Sequence, residues 1–311
     1  MSESDILVVG HHGVGQIIRV HAFPKPGESI VSLGQLNMKD SGKGVNQAIC
    51  LGLLGCSVAF VGKVGDDELG HLGAEWMHES GVDTSGIIFS SEMTTSRGLI
   101  FIDDQGQNTI INSYKPEGYL RFEELEQAIR VRARAKYFLT GFEIPVKVAL
   151  QCTKLAKELG MFTVVNPGPA SREDLGDLSY IDVLIPNETE AMSLAGINES
   201  AQLSNLDVIR CLKHKCNTKS VVMTLGSEGL LGLDDEGDWN YPGVQIKVVD
   251  TLGAGDAFIG GLLWGLTENN TVREASWYAN FVAALSVTKQ GSFPSYHTKE
   301  EVLEFIHKLS I

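Results

Sequence analysis

Apolar-rich runs and polar-faced stretches take turns along this chain, and that alternation sets its fold class. Runs rich in apolar and β-branched residues occur at 6–9, 58–64, 137–140, 162–166, 182–186 and 220–224. Short runs with so little polar alternation suit strands covered on both faces. Stretches with helical patterning lie between several of them, at 46–54, 67–80, 146–159, 188–195 and 207–214. The repetition predicts βαβ units, hence an α/β fold in three layers with a mostly parallel sheet between helices. From residue 257 the pattern turns helical, over 257–266, 272–287 and 299–309. The first of these is apolar on nearly every face, which predicts a buried, rigid helix.

Two segments break the rhythm. Residues 15–40 carry Pro24, Pro26, Gly27 and Gly34 among apolar residues, a pattern of short strands and turns. Residues 95–113 read as a hairpin, 97–103 and 108–112, around Asp104. Together they predict a small β-sheet that projects as a lid from a single domain spanning 1–311. Ile17, Val20, Ile30, Val31, Ile100 and Phe101 would give the lid an apolar face, to cover a substrate or to pair two subunits into a homodimer.

Composition narrows the partners. A net charge of −14 argues against nucleic acid or an anionic membrane, and no apolar run reaches the ~18 residues of a membrane span. The N-terminal residues carry no basic region before the first strand, so no signal peptide is expected. Cys50, Cys56, Cys152, Cys211 and Cys216 are odd in number and lack CxxC spacing. They predict small buried hydrophobes in a reducing, cytoplasmic setting. The histidines include no HxxxH or HxH pair, which argues against a zinc site.

The candidate chemistry sits where the pattern turns helical. In Asp250-Thr-Leu-Gly253-Ala254-Gly255-Asp256 a glycine-rich turn precedes the apolar helix. Its glycines leave N–H groups able to approach an anion, and the helix N-terminus adds partial positive charge. Asp256 falls in the first turn, where that charge is expected to keep its carboxylate ionised and able to take a proton from a hydroxyl. A second glycine-opened helix begins at Ser41-Gly42-Lys43-Gly44-Val45-Asn46-Gln47, where Lys43 and Asn46 offer a charge and an amide. Neither segment is a P-loop.

With Phe142-Glu143, Asn166-Pro-Gly-Pro169, Asn187-Glu-Thr-Glu190 and Thr224-Leu-Gly-Ser-Glu-Gly229, these motifs run in register over almost the whole chain. The set resembles the pfkB family of carbohydrate kinases, most closely its ribokinase subgroup. The resemblance implies a ribokinase-like fold and transfer of a phosphoryl group from ATP to a sugar's primary hydroxyl. Asp256 would be the base, with Gly253, Ala254 and Gly255 forming an anion hole. Gly13, Gly15, Gly42, Lys43, Gly44, Asn46 and Glu143 would face the sugar. Asn187, Thr224, Leu225, Gly226, Ser227, Glu228, Gly229 and Gly255 would line the nucleotide's phosphates, and Asn280 would flank adenine. Glu190 would act on Mg²⁺ through water, although Asn187-x-x-Glu190 also fits a helix capping box. Asp250, Leu252, Ser286, Lys289, Gly291 and Ser295 would surround a monovalent cation, K⁺, mostly through backbone oxygen.

One loop departs from that pattern. Ribokinases carry an Asn and an Asp just after the first strand to hold secondary hydroxyls, and this chain has Gly13 and Gly15 there. Either the sugar lacks those hydroxyls or is bulkier, or His11 and His12 replace the contacts, or the two histidines only pack beside the sheet. Two other readings compete. A dinucleotide-dependent oxidoreductase needs Gly-x-Gly-x-x-Gly and a following helix, but the glycines are spaced differently and Pro24 and Pro26 forbid the helix. A catalytically weak sugar or nucleotide sensor would not need Asp256.

Overall fold

The computed structural model describes residues 4–309 except 35–36, 106, 114–119, 172, 174 and 199–200. The first apolar run is β1 (Ile6–Val9), entirely sealed from water. Ile6 and Val8 enter one apolar cluster, Leu7 and Val9 another, because successive strand side chains point to opposite faces. Next come β2 (Gly13–Arg19), β3 (Asn37–Ser41), α1 (Lys43–Leu53), β4 (Val58–Gly65) and α2 (Glu68–Glu79). They are followed by β5 (Asp83–Ser90), β6 (Ser96–Ile102), β7 (Asn108–Asn112), α3 (Phe122–Val131), β8 (Tyr137–Gly141) and α4 (Val146–Glu158). The remainder comprises β9 (Phe162–Asn166), β10 (Val183–Leu184), α5 (Glu188–Ala195), α6 (Asn205–Cys216) and β11 (Ser220–Thr224). Last are β12 (Gly229–Leu233), β13 (Asp238–Pro242), α7 (Ala254–Thr267), α8 (Val272–Ser286) and α9 (Lys299–Leu309).

The large sheet has nine strands in the order β13-β12-β11-β10-β9-β8-β1-β4-β5. From β11 to β5 neighbouring strands run parallel; β12 and β13 close one edge antiparallel. Helices α1, α2, α7, α8 and α9 supply one apolar layer, and α3, α4, α5 and α6 the other. This is the three-layer α/β/α arrangement that the resemblance implies. The small sheet, β3-β2-β6-β7, joins the two irregular segments through a parallel β2–β6 pair with antiparallel strands outside it. Of its expected apolar face, Ile17, Val20 and Ile100 are buried and Phe101 partly buried, while Ile30 and Val31 are exposed.

Helix α7 is buried along 256–266, as its composition predicts. Small residues allow it to pack closely. A Cβ at Gly261 would lie 2.9 Å from the Ala279 Cα of α8, and one at Gly260 would lie 2.6 Å from the Cys50 sulfur of α1.

Boundaries shift for physical reasons. Helices α1 and α7 begin at Lys43 and Ala254, earlier than the patterning predicts, because their glycine turns enter the first helical turn. The 182–186 run shrinks to Val183–Leu184. Asp182 is spent on Lys157 and Lys219, each 2.7 Å away, and on the Thr163 N–H at 2.9 Å. Helix α3 and strands β5, β12 and β13 lie outside the predicted set. The buried face of α3 is little more than Leu125 and Ile129 among charges, and β5 is a partly exposed edge strand opening on polar residues. Cysteine burial is confirmed for Cys50, Cys152 and Cys216, but Cys211 is exposed. Among the described residues no helix is long and apolar enough to cross a membrane.

Candidate active site

The loops after β1, β8, β9, β10 and β11 leave the same edge of the large sheet, because parallel strands present their carboxyl ends together. A parallel bridge between Asn187 and Thr224 extends that edge past β10 and β11. The N-termini of α1 and α7 converge on it. Asp256, in the first turn of α7, is 5% exposed. Its Oδ1 accepts from Gln47 Nε2 at 2.9 Å and its Oδ2 from Asn46 Nδ2 at 3.4 Å. The Asn46 amide also donates to the Ser41 carbonyl at 3.2 Å and to Asp40 Oδ1 at 3.4 Å, so it links two carboxylates. Glu143 Oε2 accepts the main-chain N–H of Lys43 at 2.6 Å.

Electrostatics centre on Lys43. Attraction to Asp256 above all, then to Glu143, Glu190 and Asp40, raises its pKa against the opposing effect of burial. Desolvation pushes the Glu143 carboxyl up to about 7, with the Lys43 charge pulling the other way. Burial also raises Asp256, opposed by Lys43 and by the amides of Gln47 and Asn46. The expectation that the helix N-terminus keeps Asp256 ionised is therefore incomplete. Desolvation outweighs what opposes it, and the identified opposition comes from α1.

Gly253 has φ +77°, a left-handed conformation, and caps α7; its carbonyl accepts from Tyr296 Oη at 3.1 Å. The first N–H groups of a helix lack intrahelical acceptors, so those of Ala254, Gly255 and Asp256 point outward. That of Ala254 reaches the Thr251 carbonyl at 3.3 Å.

Two cavities meet at this point. One of about 980 Å³ is lined by Asn187, Thr224, Gly226, Thr251 and Gly255, with lid residues Arg19, Val20 and Ile102. The other, about 380 Å³, is lined by Gly13, Gly15, Gly42, Asn46 and Glu143, with His11 and Asp40. Lys43, Ile100, Leu252, Gly253 and Asp256 line both.

The sequence profile of the pfkB family carbohydrate kinase matches residues 3–299. The chain belongs to the pfkB family. It is 30% identical over 301 residues to a ribokinase of Haemophilus influenzae, covering 97% of this chain and 98% of that one. To a deoxyribokinase of Salmonella typhi it is 28% identical over 308 residues, covering 97% and 98%. A solved Arabidopsis thaliana ribokinase, complexed with ribose and ATP, superposes with a TM-score of 0.86 at 26% identity, covering 98% of this chain and 99% of that one.

Against the family's pattern, several expected residues stand away from the cavities. Gly44 is a packing position, where a Cβ would lie 2.9 Å from the Gly10 Cα. Leu225, Ser227, Glu228 and Gly229 build the turn that presents Thr224 and Gly226: the Leu225 N–H donates to the Gly229 carbonyl at 2.8 Å. Asn280 lines a separate cavity of about 310 Å³ with Tyr241, Gly243 and Trp277, its amide donating to the Pro242 carbonyl at 2.8 Å. That cavity abuts the same turn, since the Gly243 N–H donates to the Glu228 carbonyl at 3.1 Å. Of the two histidines, His11 lines the smaller cavity, while His12 turns away to Gly73 of α2 and meets Phe60 edge-on at 6.3 Å. Burial lowers their pKa values to about 3 and about 4, so both are neutral imidazoles at pH 7.

The metal positions divide in the same way. Asn187 and Glu190 form a capping box: Asn187 Oδ1 accepts the Glu190 N–H at 2.8 Å and Glu190 Oε2 the Asn187 N–H at 2.9 Å. Glu190 Oε1 lies over Gly168, where a Cβ would approach it to 2.5 Å. Among the described residues no cluster of three His, Cys, Asp or Glu forms a cage. Glu190 is not among the residues that line either cavity, so this one carboxylate oxygen fits only a cation held mainly by phosphates and water. In the other group, Asp250 accepts from the N–H groups of Leu252 and Gly291, both at 3.0 Å, and its own N–H reaches the Val287 carbonyl. Ser286 and Ser295 donate their hydroxyls to the carbonyls of Ala283 and Ser292. Oxygen donors of this kind suit a hard monovalent ion.

The motifs do not announce Asp40, Gln47 or Arg19. Gln47 is legible in hindsight, because it stands beside Asn46 in the first turns of α1. The other two come from lid strands, and only the small sheet brings them to the site.

Proposed function

We propose that this chain is an ATP-dependent sugar kinase that transfers the γ-phosphoryl group to a primary hydroxyl of a small sugar such as ribose, deoxyribose or a related pentose or hexose. The observation that carries the reading is the meeting of a nucleotide-sized cavity and a sugar-sized one at Asp256 and the N-terminus of α7. Asp256 takes the hydroxyl proton as the new sugar O–P bond forms and the bond to the ADP leaving oxygen breaks. Its raised pKa makes it a better proton acceptor, provided that Lys43 keeps it ionised. The N–H groups of Gly253 and Gly255, with that of Ala254 once it leaves the Thr251 carbonyl, would face the transferred phosphoryl, and Lys43, shared by both cavities, balances the charge. Asn187, Thr224 and Gly226 hold the nucleotide's phosphates. Mg²⁺, when bound to the nucleotide and to Glu190 through water, supplies further charge neutralisation. K⁺ beside Asp250 would brace the loop that leads into Gly253.

The small sheet acts as a lid over both cavities, keeping water from the phosphoryl group. Exposed Val31 and Ile111 support pairing of two copies through their lids. The enzyme would work in the cytoplasm on free sugar and ATP.

The test is an ATP-consumption assay with Mg²⁺ and K⁺ across pentoses, deoxypentoses, hexoses and nucleosides. A sugar that is turned over should lose about 10²–10⁴ in rate on Asp256→Ala. Undiminished turnover by that variant would sink the assignment, and binding without turnover on any sugar would favour the sensor.

A further inference from the structure

We propose that Asp40 is a specificity-determining residue, accepting a hydrogen bond from a secondary hydroxyl of the acceptor sugar and supplying from β3 the carboxylate that Gly15 on β2 lacks. This rests on the sugar-kinase reading above. Gly15 and Asp40 are direct partners across the antiparallel β2–β3 pair. A Cβ at Gly15 would lie 2.5 Å from Asp40 Oδ2 and 2.8 Å from Asp40 Cβ, so the space of a side chain at 15 is already filled by Asp40. His11 does the same at the neighbouring position, its Cε1 standing 2.9 Å from where a Cβ on Gly13 would be. Both glycines are thus required by what replaces their side chains.

Asp40 is 8% exposed and lines the smaller cavity with Asn46, Glu143 and Asp256. Asn46 and Ser292 hold its carboxylate. A carboxylate has about four lone-pair sites, so acceptor capacity remains for a ligand hydroxyl. The lid gains little from an acid here. Burial beside Asp256 disfavours the charge, and an apolar residue would seal this end of β3 at lower cost. The ligand class follows: a neutral polyhydroxy compound whose secondary hydroxyl is met from the β3 side of the cavity, beside the neutral ring of His11.

The experiment measures kcat and both KM values for wild type, Asp40→Asn, Asp40→Ala and the double variant Asp40→Gly with Gly15→Asp, glycine at 40 removing the Cβ that would otherwise lie 2.8 Å from the new side chain. It uses the fastest substrate among D-ribose, 2-deoxy-D-ribose and D-fructose, with its monodeoxy analogues. Sugar-induced thermal shifts are recorded on the same proteins. Loss of one charge-assisted hydrogen bond should raise the sugar KM of Asp40→Ala about 10- to 100-fold, with the ATP KM within about twofold. One monodeoxy sugar should be penalised by wild type and not further by Asp40→Ala. The double variant should recover most of the loss, which a merely structural aspartate would not allow. If Asp40→Ala folds poorly, the isosteric Asp40→Asn decides. A sugar KM and a sugar thermal shift both within twofold of wild type in Asp40→Asn overturn the proposal, as does an equal rise of both KM values. Failure of wild type to phosphorylate any sugar counts against the kinase reading instead, and the thermal shifts then still report whether Asp40 binds the sugar.

Discussion

Glu143 ties the smaller cavity to the pH dependence of folding. Desolvation holds its carboxyl near 7, well above the usual range, although Lys43 stands beside it. The folded chain therefore keeps a proton that the unfolded chain releases between pH 4.5 and 7. This contribution favours folding at low pH and is lost as pH rises through 7. Glu143→Gln removes the titration. Its stability relative to wild type should thus rise by on the order of 3 kcal/mol between pH 4.5 and 8. Urea unfolding of both proteins at the two pH values measures the difference, and a difference independent of pH would show that Glu143 ionises normally. The same variant should bind sugar less well, since an amide offers the ligand one acceptor oxygen where the carboxylate offers two.

Helix α7 carries the site because two of its glycines do opposite jobs. At Gly253, φ is +77° and a Cβ would lie 2.7 Å from Tyr296 Oη and 2.9 Å from the Ser292 Cα. Gly253→Ala should therefore cost about 1–3 kcal/mol of stability as well as activity. At Gly255 a Cβ would meet nothing within 4 Å. Gly255→Ala should keep the wild-type melting temperature while lowering kcat, because its methyl group enters the larger cavity, where the proposed kinase would hold the phosphoryl group. Calorimetry and single-turnover rates on the pair separate the two roles. Equal melting temperatures for both variants would contradict this division.

Across the molecule, the groups of the candidate site come from segments far apart in sequence. Lys43 and Asn46 ride on α1, Glu143 follows β8, Asp256 opens α7, and Asp40 arrives on a strand of the small sheet. The large sheet is closed at one edge by the β12–β13 pair. The segment between β2 and β3 exposes Val31, 87% open, and β7 exposes Ile111, 57% open. If these faces pair two copies, sedimentation equilibrium at micromolar concentration should give a dimer, and Val31→Asp with Ile111→Asp should shift it to monomer. A wild-type monomer with full activity would discard the pairing.

The alternation of apolar runs and helical stretches determined the α/β class, the parallel sheet and the buried helix behind Asp256, because strands covered on both faces and helices packed on both sides leave that pattern directly in the residues. The glycine turns before Asn46 and Asp256 were legible for a similar reason: a backbone that must approach an anion at a helix N-terminus excludes side chains locally. Charge-rich α3 and the edge strands β5, β12 and β13 were not, since their apolar positions are too few or too scattered to show a period. Nor could local sequence distinguish His11, in the smaller cavity, from His12, packed on Gly73. Which acid faces Gly15 was decided by the register of β2 against β3. Register is a long-range property, set by how strands pair in three dimensions, so the exchange of an absent side chain for Asp40 is visible only in the folded chain.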